Sequence, residues 1–234
     1  MKTIDRVAEL RTTVAEWKSA GERVALVATM GNLHAGHLQL VEKAQAEADR
    51  VVVSIFVNHM QLSDASGGGG DFERYPRTLT EDCKNLSDLE RQPEAVFTPS
   101  VEEVYPNGFA QETRVEVPGL SDILCGAFRP GHFVGVATVV AKLFNMVQPD
   151  VALFGEKDFQ QLLVIRRLTT DLCFPINIIG VPTVRESNGL AMSSRNKYLS
   201  SAMRKDALVI NRSLQITKEM INNGENKSSI ILDK

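Results

Sequence analysis

Three cysteines, Cys83, Cys125 and Cys173, are too few and too scattered to staple this chain: the number is odd and no C-x-x-C pair exists. Their scarcity excludes a disulfide framework and a cysteine-type zinc site. It fits a reducing, cytoplasmic setting. Basic charge is not in excess either. The 26 Lys and Arg are outnumbered by 29 Asp and Glu, for a formal net charge of −3, so composition offers nucleic acid no purchase. An acidic ligand would have to be attracted by local charge. No window approaches the roughly 18 uncharged apolar residues of a membrane span. Residues 1–18 (MKTIDRVAELRTTVAEWK) alternate charged with apolar positions and predict an amphipathic helix, not a signal peptide. Familiar loops are missing too. There is no GxxxxGK followed by Ser or Thr, so the glycines at residues 67–70 are not a Walker loop. There is no GxGxxG after the first long apolar run, and no GxSxG elbow.

What is present is an alternation of apolar runs and helical periods. The 234 residues, 43% hydrophobic, suit one large α/β domain with a small second one. Residues 23–29 (RVALVAT) and 51–57 (VVVSIFV) are apolar on both faces, as buried parallel strands are. Between them, Leu38, Val41, Ala44 and Ala48 mark one face of a helix over 35–49. That makes a βαβ unit. The pattern predicts helices at 78–90, 133–147 and 158–172, with strands at 95–98, 151–154 and 176–184. The expected fold is α/β, a doubly wound parallel sheet of the Rossmann-like kind, with ligands at the carboxyl ends of the strands. A boundary near Val181 divides a domain of residues 1–181 from one of 182–234. Residues 58–76 read as a long loop, 185–198 as a polar break before a helix at 201–222, and the tail after Asn223 as fraying.

All four histidines, His34, His37, His59 and His132, fall in or beside expected loops. His34 and His37 are three apart where a strand gives way to a helix, a spacing that puts both on one face. A helix N-terminus presents unpaired N–H groups and positive partial charge, and Gly36 admits a close approach. Together these suit a polyphosphate. A zinc site is the weaker alternative, since no third ligand has recognisable spacing. Asn58 and Gln61 follow the second strand and are able to hydrogen-bond a small polar substrate, although polar loop residues also serve simply as solvated surface. In Gly155-Glu156-Lys157-Asp158, Lys157 suits phosphate charge and Asp158 a ribose hydroxyl or a magnesium-bound water. Equally, Asp158 suits an N-cap with Lys157 solvated. Met192, Ser193, Ser194 and Arg195 combine hydroxyls with a permanent cation, as a phosphate-wrapping loop or as a surface turn. Arg129-Pro130-Gly131-His132 is a basic turn for holding a carboxylate or capping a helix.

Read in order, TMGNLHAGH (29–37), VVVSIFVN (51–58), YPRTL (75–79), VPGLSDIL (117–124), RPGHF (129–133), KLFNMVQPD (142–150), GEKDFQQL (155–162) and SSRNKYLS (193–200) resemble the pantoate–β-alanine ligase family. HxGH with a late serine-rich basic loop also resembles the wider nucleotidyltransferase superfamily. The resemblance covers about residues 20–200. It implies attack of the pantoate carboxylate on the α-phosphorus of ATP, giving pantoyl adenylate and pyrophosphate. The amine of β-alanine then displaces AMP. With no protein nucleophile required, catalysis is expected to rest on positioning and charge stabilisation.

The resemblance further implies ATP contacts at Met30, Gly31, Asn32, Leu33, His34, Ala35, Gly36, His37, Gly155, Glu156, Lys157, Asp158, Val184, Met192, Ser193, Ser194 and Arg195. Within that set His37, His34, Lys157 and Arg195 are expected to be catalytic. Gln61 and Gln161 are implied to bind pantoate, and Gln61 later β-alanine. Asn58, Tyr75, Arg129 and His132 are looser candidates. Magnesium is implied, with Glu81 or Asp82 as neighbours, and so is a homodimer. Where the family has Asn-Pro-x-Gln-Phe, this chain has Asn58-His59-Met60-Gln61-Leu62, and loss of the proline predicts a looser loop. The family's lid domain continues past residue 234, so a small, truncated lid is expected. Two other readings stand beside this one: an adenylate-forming or nucleotidyl-transferring enzyme using another acid, and a truncated low-activity relative. Gln61 and Gln161 separate the first of these from pantoate activation, because ATP binding alone does not require them.

Overall fold

The computed structural model describes residues 1–62 and 71–233. Eleven helices and six strands follow in chain order among them: β1 (Lys2–Ile4), α1 (Val7–Ser19), β2 (Val24–Thr29), α2 (Ala35–Glu47), β3 (Arg50–Ile55), α3 (His59–Leu62), α4 (Asp71–Arg74), α5 (Leu79–Ser87), β4 (Ala95–Phe97), α6 (Val101–Val104), α7 (Cys125–Phe128), α8 (His132–Val147), β5 (Val151–Gly155), α9 (Phe159–Asp171), β6 (Asn177–Val181), α10 (Ser201–Asn222) and α11 (Ser228–Leu232). The residues form two compact units. One is Met1–Leu33 with His37–Pro182, and the other is His34–Gly36 with Thr183–Lys234.

The first unit is built on one parallel sheet in the order β1-β4-β3-β2-β5-β6. Alternate residues of each strand feed two apolar layers. Leu26, Val52, Phe97 and Phe154 face the layer that holds Leu10 and Val14 of α1, much of α8, and Leu162, Ile165 and Leu168 of α9. Val27, Val53, Val96 and Leu153 face the other, with Leu40, Val41 and Ala44 of α2 and Leu86 of α5. Burial on both faces is why the strands read as continuous apolar runs. The chain proceeds outward from β2 to β3 and β4, then returns to lay β5 on the opposite side of β2. The direction of winding therefore reverses between β2 and β5, where doubly wound sheets hold ligands at their carboxyl ends.

The structure corrects three expectations. The first residues are a strand, not helix: Lys2, Thr3 and Ile4 pair with Ala95, Val96 and Phe97. Ile4 is buried there, and α1 starts only at Val7, whose N–H donates to Glu103 Oε1 at 2.7 Å. Three residues are too short for an alternation to register in the sequence. The span 58–76 contains the helical turns α3 and α4, while the glycines at 67–70 lie outside the described residues. The tail after Asn223 forms α11, with Ile230 and Ile231 N–H both donating to the Lys227 carbonyl.

In the second unit, α10 has no fully buried residue. Ser200 caps it by accepting from Met203 N–H, and Arg204 on its first turns pairs with Glu186. In the first unit, Phe144 of α8 packs edge-on against Phe154 and Phe174 and is 1% exposed. Phe144→Ala is expected to lower unfolding free energy by about 3–5 kcal/mol through lost burial and a residual cavity, measured by urea denaturation.

Candidate active site

Chain leaving β2 is held by a buried carboxylate. Thr29 Oγ1 donates to the Ser54 carbonyl at 2.8 Å and accepts from Gly31 N–H. Gly31 and Asn32 then adopt left-handed conformations, φ 78° and 52°. Asp82 of α5, 1% exposed, accepts Asn32 N–H on Oδ2 at 2.9 Å and Leu33 N–H on Oδ1 at 2.7 Å; Thr78 Oγ1 donates to Oδ2 as well. A Cβ at Gly31 would stand 2.9 Å from Asp82 Oδ2 and 3.1 Å from Ile55, so glycine is required by space as well as by backbone angle. The Tyr75 hydroxyl donates to the Gly31 carbonyl at 3.5 Å. Asp82 thus holds backbone and is not presented to a magnesium ion, and Tyr75 supports the same turn. Glu81, beside it, is exposed.

Gln61 comes to this turn from α3. Its Nε2 donates to Met30 Sδ at 3.2 Å, and its Oε1 accepts from Asn58 Nδ2 at 3.0 Å. Asn58 is 1% exposed and turned inward: Nδ2 also donates to the Gly135 carbonyl at 3.0 Å, and Oδ1 accepts from the Tyr105 hydroxyl at 2.8 Å. Asn58 therefore aims Gln61 instead of meeting a substrate. The basic turn before α8 reaches the same glutamine through its backbone. His132 Nδ1 lies 2.7 Å from the Gln61 carbonyl, and because a carbonyl only accepts, Nδ1 carries the proton; Nε2 then accepts from Arg129 Nη1 at 3.4 Å. Backbone meets backbone here. A Cβ on Gly135 would fall 2.5 Å from Gln61 N and from the Met60 carbonyl carbon. His59 replaces the expected proline but is not loose: it stacks on Phe109 at 4.8 Å and meets Phe72 edge-on at 4.8 Å. Stacking supplies the rigidity that proline would have supplied through φ.

From β5, the strand beside β2, the chain passes through Gly155 into a turn of 3-10 helix at Glu156–Asp158. Lys157 Nζ pairs with Asp158 at 3.3 Å, on the surface. Asp158 precedes α9 without capping it through its side chain, so the capping alternative is not what its carboxylate does. Gln161 lies in the first turn of α9, half-buried, with no side-chain hydrogen bond to another described residue. Gln160 next to it is consumed by structure, bonding the Leu120 and Ile123 carbonyls and Cys125 N–H.

Within the second unit, His34 stands immediately before α2 and its Nδ1 accepts from Gly36 N–H at 3.1 Å, in the manner of an N-cap. In the neutral ring this places the proton on Nε2. Gly36 serves the imidazole first: a Cβ there would meet His34 Cε1 at 2.9 Å and Nδ1 at 3.0 Å. Its N–H is thus committed to the ring, not open to a phosphate as the spacing suggests. Val184 lies 3.8 Å from the same point. Residues 184–192 form a tight reversal, with Met192 N–H donating to the Val184 carbonyl at 2.9 Å and Arg185 bridging Ala191. It delivers Ser193, whose Oγ caps the 3-10 turn Ser194–Tyr198 by accepting from Arg195 N–H. Asn196 Nδ2 locks that turn to Glu186 and to the Ala191 carbonyl.

Met30, Gln61, Asn58, Arg129 and His132 are therefore gathered in the first unit, and His34, Gly36, Val184 and Met192 in the second. Tyr105 and Gly135 were not anticipated. Gly135 left a trace, the only glycine in the run FVGVATVV (133–140). Tyr105 left none, because its partner lies 47 residues away.

The family model described as pantoate-beta-alanine ligase matches residues 2–233. A pantothenate synthetase of Pseudomonas fluorescens is 57% identical over 96% of this chain and 77% of its own length. That of Shewanella loihica is 56% identical over 96% and 78%. Among solved structures, pantothenate synthetase from Thermus thermophilus superposes with a TM-score of 0.86 at 52% identity, covering 96% of this chain and 77% of that one. Pantoate-beta-alanine ligase from Francisella tularensis, complexed with beta-gamma ATP and beta-alanine, gives 0.78 at 36%, covering 93% and 79%.

Asp82→Asn keeps the shape but turns one acceptor into a donor facing an N–H group. It is expected to lower stability by about 2–3 kcal/mol. Chemical denaturation measures this, and an unchanged midpoint would show that the carboxylate does not hold the turn.

Proposed function

The chain belongs to the pantoate-beta-alanine ligase family, and from that premise we infer that it condenses pantoate with β-alanine, converting ATP to AMP and pyrophosphate. It is an AMP-forming ligase that works through a pantoyl adenylate. In the first step a pantoate carboxylate oxygen attacks the α-phosphorus and the bond to pyrophosphate breaks. In the second the β-alanine amine attacks the acyl carbon, AMP leaves, and the amine surrenders a proton as the amide forms. The substrates supply both nucleophiles, so the chain's own task is to align them and to stabilise charge.

The observation that carries the residue-level reading is the meeting of Gln61 Nε2 with Met30 Sδ at the carboxyl end of β2. An amide held by its oxygen presents a donor, which suits the hydroxyl or carboxylate oxygens of pantoate. Gln161, without an internal partner among the described residues, suits the same acid. For ATP, His37 in the first turn of α2 and Lys157 after β5 are the cationic or proton-donating groups proposed for the reacting phosphates. The Nε2–H of His34 and the hydroxyls and guanidinium of Ser193, Ser194 and Arg195 are the further donors. Met30, Gly31, Asn32, Leu33, Ala35, Gly36, Gly155, Glu156, Asp158, Val184 and Met192 complete the proposed nucleotide contacts. In this scheme Gly31, Asn32, Leu33 and Gly36 act through groups other than their N–H.

Magnesium enters the proposal only with the nucleotide. No group of three or more His, Cys, Asp or Glu among the described residues is arranged to hold a metal, and both Asp82 oxygens already have donors. The residues present do not fit a protein-built cage, and an ion carried by ATP would be held by phosphate oxygens and water. A homodimer is the reading supported by the family resemblance, and three free thiols fit a reducing, cytoplasmic compartment; no described helix is long and apolar enough to cross a membrane. Sedimentation velocity tests the dimer.

Pyrophosphate release is expected to require pantoate, and multiple turnover to require β-alanine. If several other acids release pyrophosphate equally well, the substrate is wrongly assigned. His37→Ala is expected to slow single-turnover adenylate formation by about 10²–10³ with the fold intact; an unchanged rate removes His37 from the chemistry.

A further inference from the structure

We infer that Tyr105 is a positioning residue for pantoate, acting through Asn58 to orient the Gln61 amide so that it offers the substrate a donor and not an acceptor. This rests on the reading that Gln61 touches pantoate.

Hydrogen-bond polarity fixes each group in turn. The Gly135 carbonyl can only accept, so the group of Asn58 facing it at 3.0 Å is the amide nitrogen. The second hydrogen of that nitrogen points to Gln61, which must answer with Oε1, at 3.0 Å. Nε2 of Gln61 is then the end left to face Met30 and a ligand. On its other side Asn58 turns Oδ1 to Tyr105, whose hydroxyl donates at 2.8 Å. Both side chains are almost wholly buried, so no solvent can replace a lost partner. Without that hydroxyl, Oδ1 would be left as a buried acceptor with no donor, and the orientation of Asn58 that aims Gln61 would rest on the Gly135 carbonyl alone.

The relay has one direction only while Tyr105 keeps its proton. Burial first, and the nearby Glu112 carboxylate second, push its hydroxyl well above the ordinary tyrosine range. The ring is fixed from behind. Lys142 Nζ lies 5.1 Å from its centroid, pairs with Glu112 and donates to the Val104 carbonyl. An Asn and a Gln in sequence therefore carry the polarity of a buried phenol out to the strand ends.

The test is a double-mutant cycle read as KM for pantoate, KM for ATP and kcat. Gln61→Ala is expected to raise KM for pantoate about 100-fold, and Tyr105→Phe about tenfold with KM for ATP unchanged. The double variant is expected to match Gln61→Ala alone, since the hydroxyl acts only through the amide. Gln61→Glu, at a half-buried position where folding is not at stake, is expected to be worse than Gln61→Ala because a carboxylate has no donor to offer. Multiplicative effects in the double variant overturn the proposal. So do equal rises in both KM values for Tyr105→Phe, or a Gln61→Glu enzyme that binds pantoate as well as Gln61→Ala. If Gln61→Ala leaves KM for pantoate unchanged, it is the reading of Gln61 itself that fails.

Discussion

A carboxylate that water cannot reach has to be answered by donors, and Asp82 is answered by the backbone of the turn it controls. Two consecutive N–H groups and a threonine hydroxyl converge on it, and the left-handed pair Gly31 and Asn32 is the backbone shape that lets them do so. The turn is therefore fixed from α5, an element that touches no proposed substrate. Residues on either side of it inherit that path: Met30 is set against Gln61, and the chain enters α2 at a defined angle. A flexible link between β2 and α2 would deliver the same residues to no particular place.

The same economy recurs on the other side of Met30. Asn58 and His132 hydrogen-bond to protein, with Arg129 against the far side of the His132 ring, and between them they fix both the backbone and the amide of Gln61. Gly135 allows α3 to lie backbone-to-backbone on α8, which shortens the reach these hydrogen bonds must span. Rigidity in such a layer has a chemical purpose. An enzyme whose substrates bring their own nucleophiles gains its rate from alignment, and a displacement of about 1 Å is enough to lose much of it.

The sheet was legible because its physics is local. Strands buried on both faces must be apolar at every position, and runs such as VALVAT and VVVSI declare this directly. The HxGH helix start was legible for the same reason, since strand end, glycine and histidine are neighbours in the chain. What escaped notice depends on partners far away. Asp82 sits in LTEDCKNLS, a helix whose pattern looks solvated, and nothing nearby shows that the chain 49 residues earlier will bring N–H groups to it. Asn58 and His132 looked like substrate contacts because a polar residue at a strand end and one serving another side chain have the same local signature; the carbonyls that orient them, of Gly135 and Gln61, are 77 and 71 residues distant. The loss of proline at position 59 looked like a loss of order because the stacking on Phe109 that replaces it is tertiary.

Polar side chains at a doubly wound sheet's edge thus fall into two populations that sequence alone does not divide. Some keep bonding capacity to offer: Gln161 makes no side-chain hydrogen bond to another described residue, and Gln61 Nε2 donates only to the Met30 sulfur, a weak acceptor. Others, like Asn58 and Asp82, are exhausted internally. Only the first kind can select a substrate, but the second kind decides what the first kind presents. A glutamine free to flip offers a donor or an acceptor with nearly equal ease, and so discriminates poorly between an acid and an amide. With its oxygen committed to a buried asparagine, the same glutamine offers a donor alone. Selectivity for a carboxylate or hydroxyl oxygen then belongs to the hydrogen-bonded chain behind the residue as much as to the residue that touches the ligand.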